Sequence, residues 1–239
     1  MASVSQELCP GKERVLSETD WAQERAIQVK YVFESALALL LLVLTSPIIL
    51  LVAFLVRMSS RGPVFYTQRR LGQRGRCFTI YKIRTMRVDS EPDGPRWCVP
   101  GDPRITPLGH LLRSTHLDEL PQLVNILRGD MALIGPRPER PEIVASLERV
   151  FPDYRRRLRA RPGLTGLAQV LQDPDTDLAS VERKLRVDLY YLDYWCFWLD
   201  ARILVATVLR VLALPTPWIA TLFRIRELPG QPRTEEAWG

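Results

Sequence analysis

The sequence predicts a mostly helical α/β protein attached to a membrane. Three observations lead there. The first is an uncharged apolar run at residues 35–56, with Ser46-Pro47 in its middle. The second is a pair of short stretches rich in β-branched and aromatic residues, 64–70 and 76–83, around a glycine-containing turn. The third is a series of short amphipathic segments further on, separated by prolines and glycines. The chain has 239 residues, 46% hydrophobic and 25% charged. That leaves room for one sizeable domain beside the membrane element, and makes the apolar run a local event in an otherwise globular composition.

The N-terminal residues 1–23 are polar and aperiodic and predict a loose tail. Residues 24–34 predict a helix leading into the apolar run. At about 1.5 Å per residue, a straight helix over 35–56 just spans a hydrocarbon core of roughly 30 Å. Pro47 works against a straight crossing, because it removes a backbone donor and crowds the carbonyl four residues back. Ser46 offers a hydroxyl that can satisfy the freed carbonyl. The run is not an ordinary secretory leader: it starts well into the chain, is too long, and ends at Val56-Arg57 without a small-x-small site. Arg57, Arg61, Arg69, Arg70, Arg74 and Arg76 follow it, whereas Arg25 and Lys30 before it are offset by Glu24 and Glu34. The excess places the C-terminal side in the cytoplasm. Sequence physics alone leaves crossing and turning back evenly matched.

The stretches 64–70 and 76–83 predict a hairpin. Residues 89–103 hold four prolines and two glycines and predict a loop. Residues 106–114 and 117–128 predict two helices. The second opens on Asp118 as a first-turn cap, tolerates Pro121 early, and stops at Gly129. Residues 136–141 predict a rigid turn and 142–150 a helix. A basic segment, 154–161, and a further turn, 162–166, precede a helix at 178–191. The segment 194–214 is apolar but interrupted by Asp200, Arg202 and Arg210. It predicts an interfacial helix, supported by Trp195, Trp198 and Trp218, or else a helix buried in the soluble domain.

A net charge of +6 suits anionic lipid or a phosphorylated substrate, and the absence of lysine tracts argues against nucleic acid as a partner. Four scattered cysteines form no metal cluster or disulfide framework and predict free thiols in a reducing compartment. The densest chemistry lies in Arg113-Ser-Thr-His-Leu-Asp-Glu119. Asp118 and Glu119 at a helix start meet unpaired amides and the positive dipole end, which favours an ionised nucleophile or metal ligand. The plainer alternative is a cap beside a solvent-facing acid. In Gly135-Pro-Arg137-Pro, rigid prolines aim a guanidinium fork suited to phosphate oxygens, or simply form a surface turn. The basic residues near Arg161 suit phosphate or a solvated face. Asp188, among tyrosines, is a surface charge or reaches toward a metal. His110 and His116 lack ligand spacing.

Four segments, taken in order behind the proline-broken helix, carry a specific resemblance: SRGPVFYTQRRLGQRGRCFTIYKIRTM, DPRITPLGHLLRSTHLDELPQLVNILRGDMALIGPRPE, RPGLTGLAQV and LRVDLYYLDYW. Over roughly residues 30–214 the chain resembles the bacterial sugar transferase family of monotopic polyprenyl-phosphate phosphoglycosyl transferases. The resemblance implies a monotopic membrane protein with a re-entrant helix broken at Ser46-Pro47. A small cytoplasmic catalytic domain with interfacial amphipathic helices would rest on the inner face of the bacterial cytoplasmic membrane. It implies a tail at 1–29, the membrane helix at 30–57, the catalytic domain at 58–214 and a tail at 215–239, in the short form of the family.

The implied reaction moves a sugar-1-phosphate from a UDP-sugar to polyprenyl (undecaprenyl) phosphate, releasing UMP and starting membrane-bound glycan assembly. Asp118 is then the nucleophile and Glu119 its partner acid. Arg113, Arg137 and Arg161 bind phosphate. Mg2+ is the cofactor, with Asp118 and Asp188 near it. Anionic membrane lipid is a further partner, and a homodimer is left open. Where many members continue with Asn-Gly-Arg or Ser-Gly-Arg after the glycine-containing motif, this chain has Leu171-Gln172-Asp173-Pro174, so sugar specificity does not carry over. The competing readings are a non-enzymatic membrane scaffold that binds lipid, and a transferase that moves the sugar alone and releases UDP.

Overall fold

The computed structural model describes residues 18–88, 90, 101–172, 175 and 177–212. The expected N-terminal tail before residue 18, most of the 89–103 loop, Asp173-Pro174, Trp218 and the C-terminal tail lie outside them.

Helix α1 runs Glu18–Ser59, starting ahead of the helix expected from residue 24, and it is continuous through Pro47, where a break is expected from the sequence. The carbonyl left without a donor by Pro47 is that of Val43. Ser46 Oγ donates to it at 2.8 Å, and Thr45 Oγ1 donates to Leu41 O at 2.7 Å. The Ser46 hydroxyl thus replaces the bond the proline removes. By length and composition, this helix is long and apolar enough to cross a membrane. Leu39, Leu40, Val43, Leu44, Leu50, Leu51 and Phe54 are all more than half exposed. In water that surface would cost about 25 cal/mol for each Å² left uncovered, so it calls for lipid.

Two apolar contacts join the helix to the rest of the molecule on either side of Pro47. Ala38 packs with Leu123 and Ile126, and Val52 and Val56 pack with Ile83 and Leu112. Its C-terminal end is held by Arg84, which donates to Ser60 O and Arg61 O at 3.1 and 2.8 Å. A cation on these last carbonyls satisfies acceptors that the helix leaves open. Gly62, at φ +114°, passes under that guanidinium, where a Cβ would lie 2.2 Å from Nη1.

Strands β1 (Phe65–Leu71) and β2 (Cys77–Ile83) form the expected antiparallel hairpin, with Phe65 opposite Ile83 and Leu71 opposite Cys77. Helix α2 (Pro107–Ser114) starts where expected, capped by Thr106, whose Oγ1 accepts from Gly109 N at 2.9 Å. The single helix expected over 117–128 is two pieces, a 3-10 segment Leu117–Gln122 and helix α3 (Leu123–Leu127). Pro121 has no N–H for the α ladder, and the chain enters through His116 at φ 56°. Asp118 is therefore not the cap; His116 holds that position and makes no side-chain cap bond.

Strands β3 (Ala132–Ile134) and β4 (Gly163–Thr165), unanticipated in the sequence, pair in parallel. Between them lie helix α4 (Pro141–Val150) and a 3-10 segment Pro152–Arg159. Helices α5 (Leu167–Leu171), α6 (Leu178–Asp193) and α7 (Phe197–Val211) complete the order. The main core joins β3, α3, α5, α6 and α7 to the first half of α1. Cys77 and Cys196 are free and exposed; Cys9 and Cys98 lie outside the described residues.

Helix α7 is buried along one side and leaves an apolar face uncovered on the other. Asp200, Ile203 and Ala206 are buried against the core. Phe197, Trp198, Val205, Val208 and Leu212 stand exposed on the outside. Asp200 and Arg210 do not interrupt the outer face but turn inward, and Arg210 donates to Val170 O and Gln172 O at the end of α5. Trp195 is partly buried against the core, and its indole N–H donates inward to Asp200 at 2.8 Å.

Candidate active site

The 3-10 segment places Asp118 and Glu119 against β2. Both are withdrawn from solvent, Asp118 to 6% exposure, which removes the reading of a solvent-facing acid. Glu119 is gripped from two sides. Lys82 Nζ, on β2, donates to Oε1 at 2.6 Å, and Arg137 Nη2 donates to the same oxygen at 2.6 Å. Burial alone would raise the Glu119 carboxyl, but the charges of Arg137 and Lys82 outweigh it and hold it well below the usual carboxylate range.

Asp118, by contrast, has no side-chain hydrogen bond or ion pair among the described residues. Burial pushes its carboxyl up; Lys82 opposes this, Glu119 adds to it, and Arg113 and Arg137 pull it back. The sequence brought Asp118, Glu119, Arg113 and Arg137 to attention, and the structure couples them electrostatically. Arg113, at the end of α2, donates to Thr85 Oγ1 at 2.8 Å. Arg137 keeps 34% of its side chain exposed, so it holds Glu119 while presenting donors outward. Lys82 was missed in the sequence, where it read as part of a strand.

The segment carrying Arg137 is held by its acceptors. Pro136 and Pro138 have no N–H to offer. Instead four successive carbonyls are each taken by a different group: Pro136 O by Gly163 N at 3.0 Å, Arg137 O by Arg157 Nη2 at 3.2 Å, Pro138 O by Arg70 Nη1 at 3.0 Å, and Glu139 O by Leu71 N at 2.9 Å. Gly135 and Gly163 allow the close approach, since a Cβ on Gly163 would lie 2.1 Å from Gly135 N.

Asp188 and Arg161 sit in other surroundings. Asp188, on α6, accepts from Arg157 Nη2 at 2.5 Å with both side chains buried. It belongs to a second network, in which Lys184 bridges Glu139 and Asp175 at 2.7 Å each and Arg157 lies 3.8 Å from Glu139. Glu139 is pulled down to about 2 because Lys184, Arg157 and Arg70 outweigh the effect of burial. Arg161 lies over the Tyr31 ring at 4.1 Å, and its backbone N–H donates to the Tyr31 hydroxyl at 3.2 Å. The expected grouping of Asp188 with Asp118 is thus not what the contacts give.

A third network joins α1 to the domain. Lys30 donates to Glu34 at 2.6 Å and to Asp200 at 2.8 Å. Glu34 accepts from Leu133 N and Ile134 N, and Tyr191 donates to Asp200 at 2.8 Å. In the sequence Lys30 and Glu34 read only as charges flanking the apolar run.

Among the described residues no three His, Cys, Asp or Glu side chains converge as a metal cage. The donor set still suits one kind of ion. Mg2+ is commonly held by one or two carboxylates together with substrate phosphates and water. Asp118 offers such a carboxylate. Asp188, committed to Arg157, does not, and Glu119 has its Oε1 taken twice.

The family model described as bacterial sugar transferase matches residues 25–214. A UDP-N-acetylgalactosamine-undecaprenyl-phosphate N-acetylgalactosaminephosphotransferase of Aeromonas hydrophila is 40% identical over 175 residues, 73% of this chain and 41% of that protein. A UDP-glucose:undecaprenyl-phosphate glucose-1-phosphate transferase of Xanthomonas campestris pv. campestris is 38% identical over 195 residues, 80% of this chain and 40% of that protein. One of the same description from Caulobacter vibrioides is 39% identical over 181 residues, 75% of this chain and 68% of that protein. The chain spans about two fifths of the length of the first two of these relatives. The chain belongs to the bacterial sugar transferase family.

Proposed function

We propose that this protein transfers a sugar-1-phosphate from a UDP-sugar to polyprenyl phosphate and releases UMP, as the first step of a membrane-bound glycan. The observation that carries the reading is the asymmetry of the acidic pair: Glu119 is held by Lys82 and Arg137, while the adjacent Asp118 is buried with its carboxylate uncommitted. In the first step an Asp118 oxygen bonds to the sugar-proximal phosphorus of the diphosphate. The bond from that phosphorus to the bridging oxygen breaks, and its electron pair leaves with UMP. In the second step an oxygen of polyprenyl phosphate attacks the phosphosugar–aspartate, and the Asp118 carboxylate is released. Arg137, with Arg113 beside Thr85, supplies donors for the phosphate oxygens. Glu119 keeps Lys82 and Arg137 in place beside the reacting carboxylate. A Mg2+ ion held by Asp118 and the diphosphate, when bound, screens the repulsion between carboxylate and phosphate.

Three features support a re-entrant α1 and a cytoplasmic domain, 58–214, lying on the membrane face. Ala38 and Val52 both pack on this domain, although a straight helix would separate them by about 21 Å along its axis. A crossing helix would draw a charge-rich domain into the hydrocarbon, whereas a bend at Ser46-Pro47, where the continuous helix carries its proline, would leave both ends at one surface. The arginines after residue 56 favour the cytoplasmic side and anionic headgroups. The outer face of α7, with Trp198 under Arg202 at 5.5 Å, suits the headgroup layer. Relatives of similar identity are named for N-acetylgalactosamine and for glucose, so overall similarity does not select the sugar.

The test is release of UMP from a panel of UDP-sugars with polyprenyl phosphate, detergent and Mg2+. Asp118→Asn is expected to abolish the covalent adduct and lower turnover by at least about 10⁴-fold. An adduct formed in wild-type yield would remove Asp118 as nucleophile, and UDP in place of UMP would replace the reaction. For topology, a cysteine near the N-terminus is expected to resist an impermeant thiol reagent in intact cells. Labelling before lysis would establish a crossing helix instead.

A further inference from the structure

Arg157 is an expensive residue to keep. It is 3% exposed, its charge is buried, and its Nε is a buried donor without a hydrogen-bond partner. Replacing a buried ion pair by apolar groups is often neutral or stabilising, so stability alone is a weak reason for it. Its terminal nitrogens are fully placed. Nη2 donates to Asp188 at 2.5 Å and to the Arg137 carbonyl at 3.2 Å, and Nη1 donates to the Tyr154 hydroxyl at 2.7 Å. Of the four groups that hold the carbonyls of 136–139, two are backbone amides and one is Arg70, which holds Pro138. Arg157 is the one that grips the peptide of Arg137 itself.

We propose that Arg157, locked by Asp188, is a positioning residue that sets the direction of the Arg137 guanidinium toward the substrate diphosphate. This rests on the functional reading above. It gives Asp188 a task at a distance from the reacting atoms, acting through Arg157, in place of the metal contact expected from the sequence. The planar fork matters. One guanidinium reaches the Asp188 carboxylate, the Arg137 carbonyl and the Tyr154 hydroxyl together, whereas a lysine ammonium lacks that geometry. A displacement of about 1 Å at a phosphate donor can cost up to about a hundredfold in rate.

The experiment is a double-mutant cycle on the full-length chain in detergent with Mg2+, reading single-turnover adduct formation over hours so that slow variants are measured. Arg157→Lys is expected to slow adduct formation about tenfold in the wild-type background and less than about twofold when Arg137 is already alanine. Asp188→Asn, which keeps shape and one acceptor, is expected to behave the same way and serves if Arg157→Lys folds poorly. A structural role alone would lower both backgrounds by the same factor. Equal losses in the two backgrounds, or Arg157→Lys at wild-type rate, would overturn the proposal while leaving the transferase reading intact. A wild-type chain that forms no adduct would overturn both.

Discussion

The two charge networks on either side of the 135–139 segment are made of the same parts and treat them differently. Around Lys184, each of the carboxylates Glu139, Asp175 and Asp188 has a direct cationic partner at 2.5–2.7 Å. Around Lys82, one carboxylate takes both cations: Glu119 receives Lys82 and Arg137, and Asp118 is left buried beside them. The first arrangement fixes geometry, joining α6, the 3-10 segment Pro152–Arg159 and the strand-linked prolines. The second withholds a partner from one acid and surrounds it with positive potential. Neutralising every buried charge builds a strut; leaving one uncommitted builds a reactive group. The cluster of Lys30, Glu34 and Asp200 follows the strut pattern, and it ties α1 to the domain.

Removing one acid from each network should expose that difference most strongly. Asp188→Ala leaves the Arg157 guanidinium buried without its carboxylate, with an expected loss of about 3–5 kcal/mol of stability. Asp118→Asn removes a buried charge that had no direct partner. Its stability is expected to stay within about 1 kcal/mol of wild type, or to rise, while adduct formation disappears. Denaturant midpoints of the two variants in one detergent measure this. If Asp118→Asn were as destabilising as Asp188→Ala, Asp118 would be a structural member of its network.

The local elements were legible because their signals are local. The hairpin follows from β-branched stretches around Gly72 and Gly75, and α2 and α4 from the short stretches 106–114 and 142–150, although α4 takes in Pro141, which in the sequence reads as the end of the turn. The 117–128 stretch was misjudged because its apolar spacing is helical while Pro121 interrupts the ladder. Strands β3 and β4 are three residues each, too short to show a period, and they pair across 31 positions of sequence. At the site, Asp118, Glu119 and Arg137 stood out by type and motif. Their partners did not, because spacing cannot say which way an acid at a helix start faces. One compositional signal pointed to those partners. The chain has four lysines among its 33 basic residues, and the three that are described, Lys30, Lys82 and Lys184, each sit inside one carboxylate network. In an arginine-rich chain the scarce lysines mark compact charge sites, where a point-like ammonium fits between two carboxylates or shares one carboxylate with a guanidinium.

Lys82 gives the finest test of the contrast, because it acts on both acids at once. The nucleophile must be ionised, and burial raises the Asp118 carboxyl above its ordinary range. Adduct formation is therefore expected to be full above that value and to fall as pH drops through it. Lys82 is the strongest of the charges that oppose the rise. Lys82→Met takes that charge away and keeps much of the side-chain volume, so the Asp118 carboxyl moves further up and the acid limb of the rate profile moves up with it. The loss is expected to grow as pH falls through the shifted limb and to be recovered as pH rises above it. Glu119 shifts in the same direction, but Arg137 still holds it, so its own protonation is confined to more acidic conditions. A loss of the same factor at every pH would mean that Lys82 only steadies Glu119 or contacts phosphate. The cationic surroundings of Asp118 would then serve binding rather than ionisation, and the comparison between the two networks would rest on Asp118's missing partner alone.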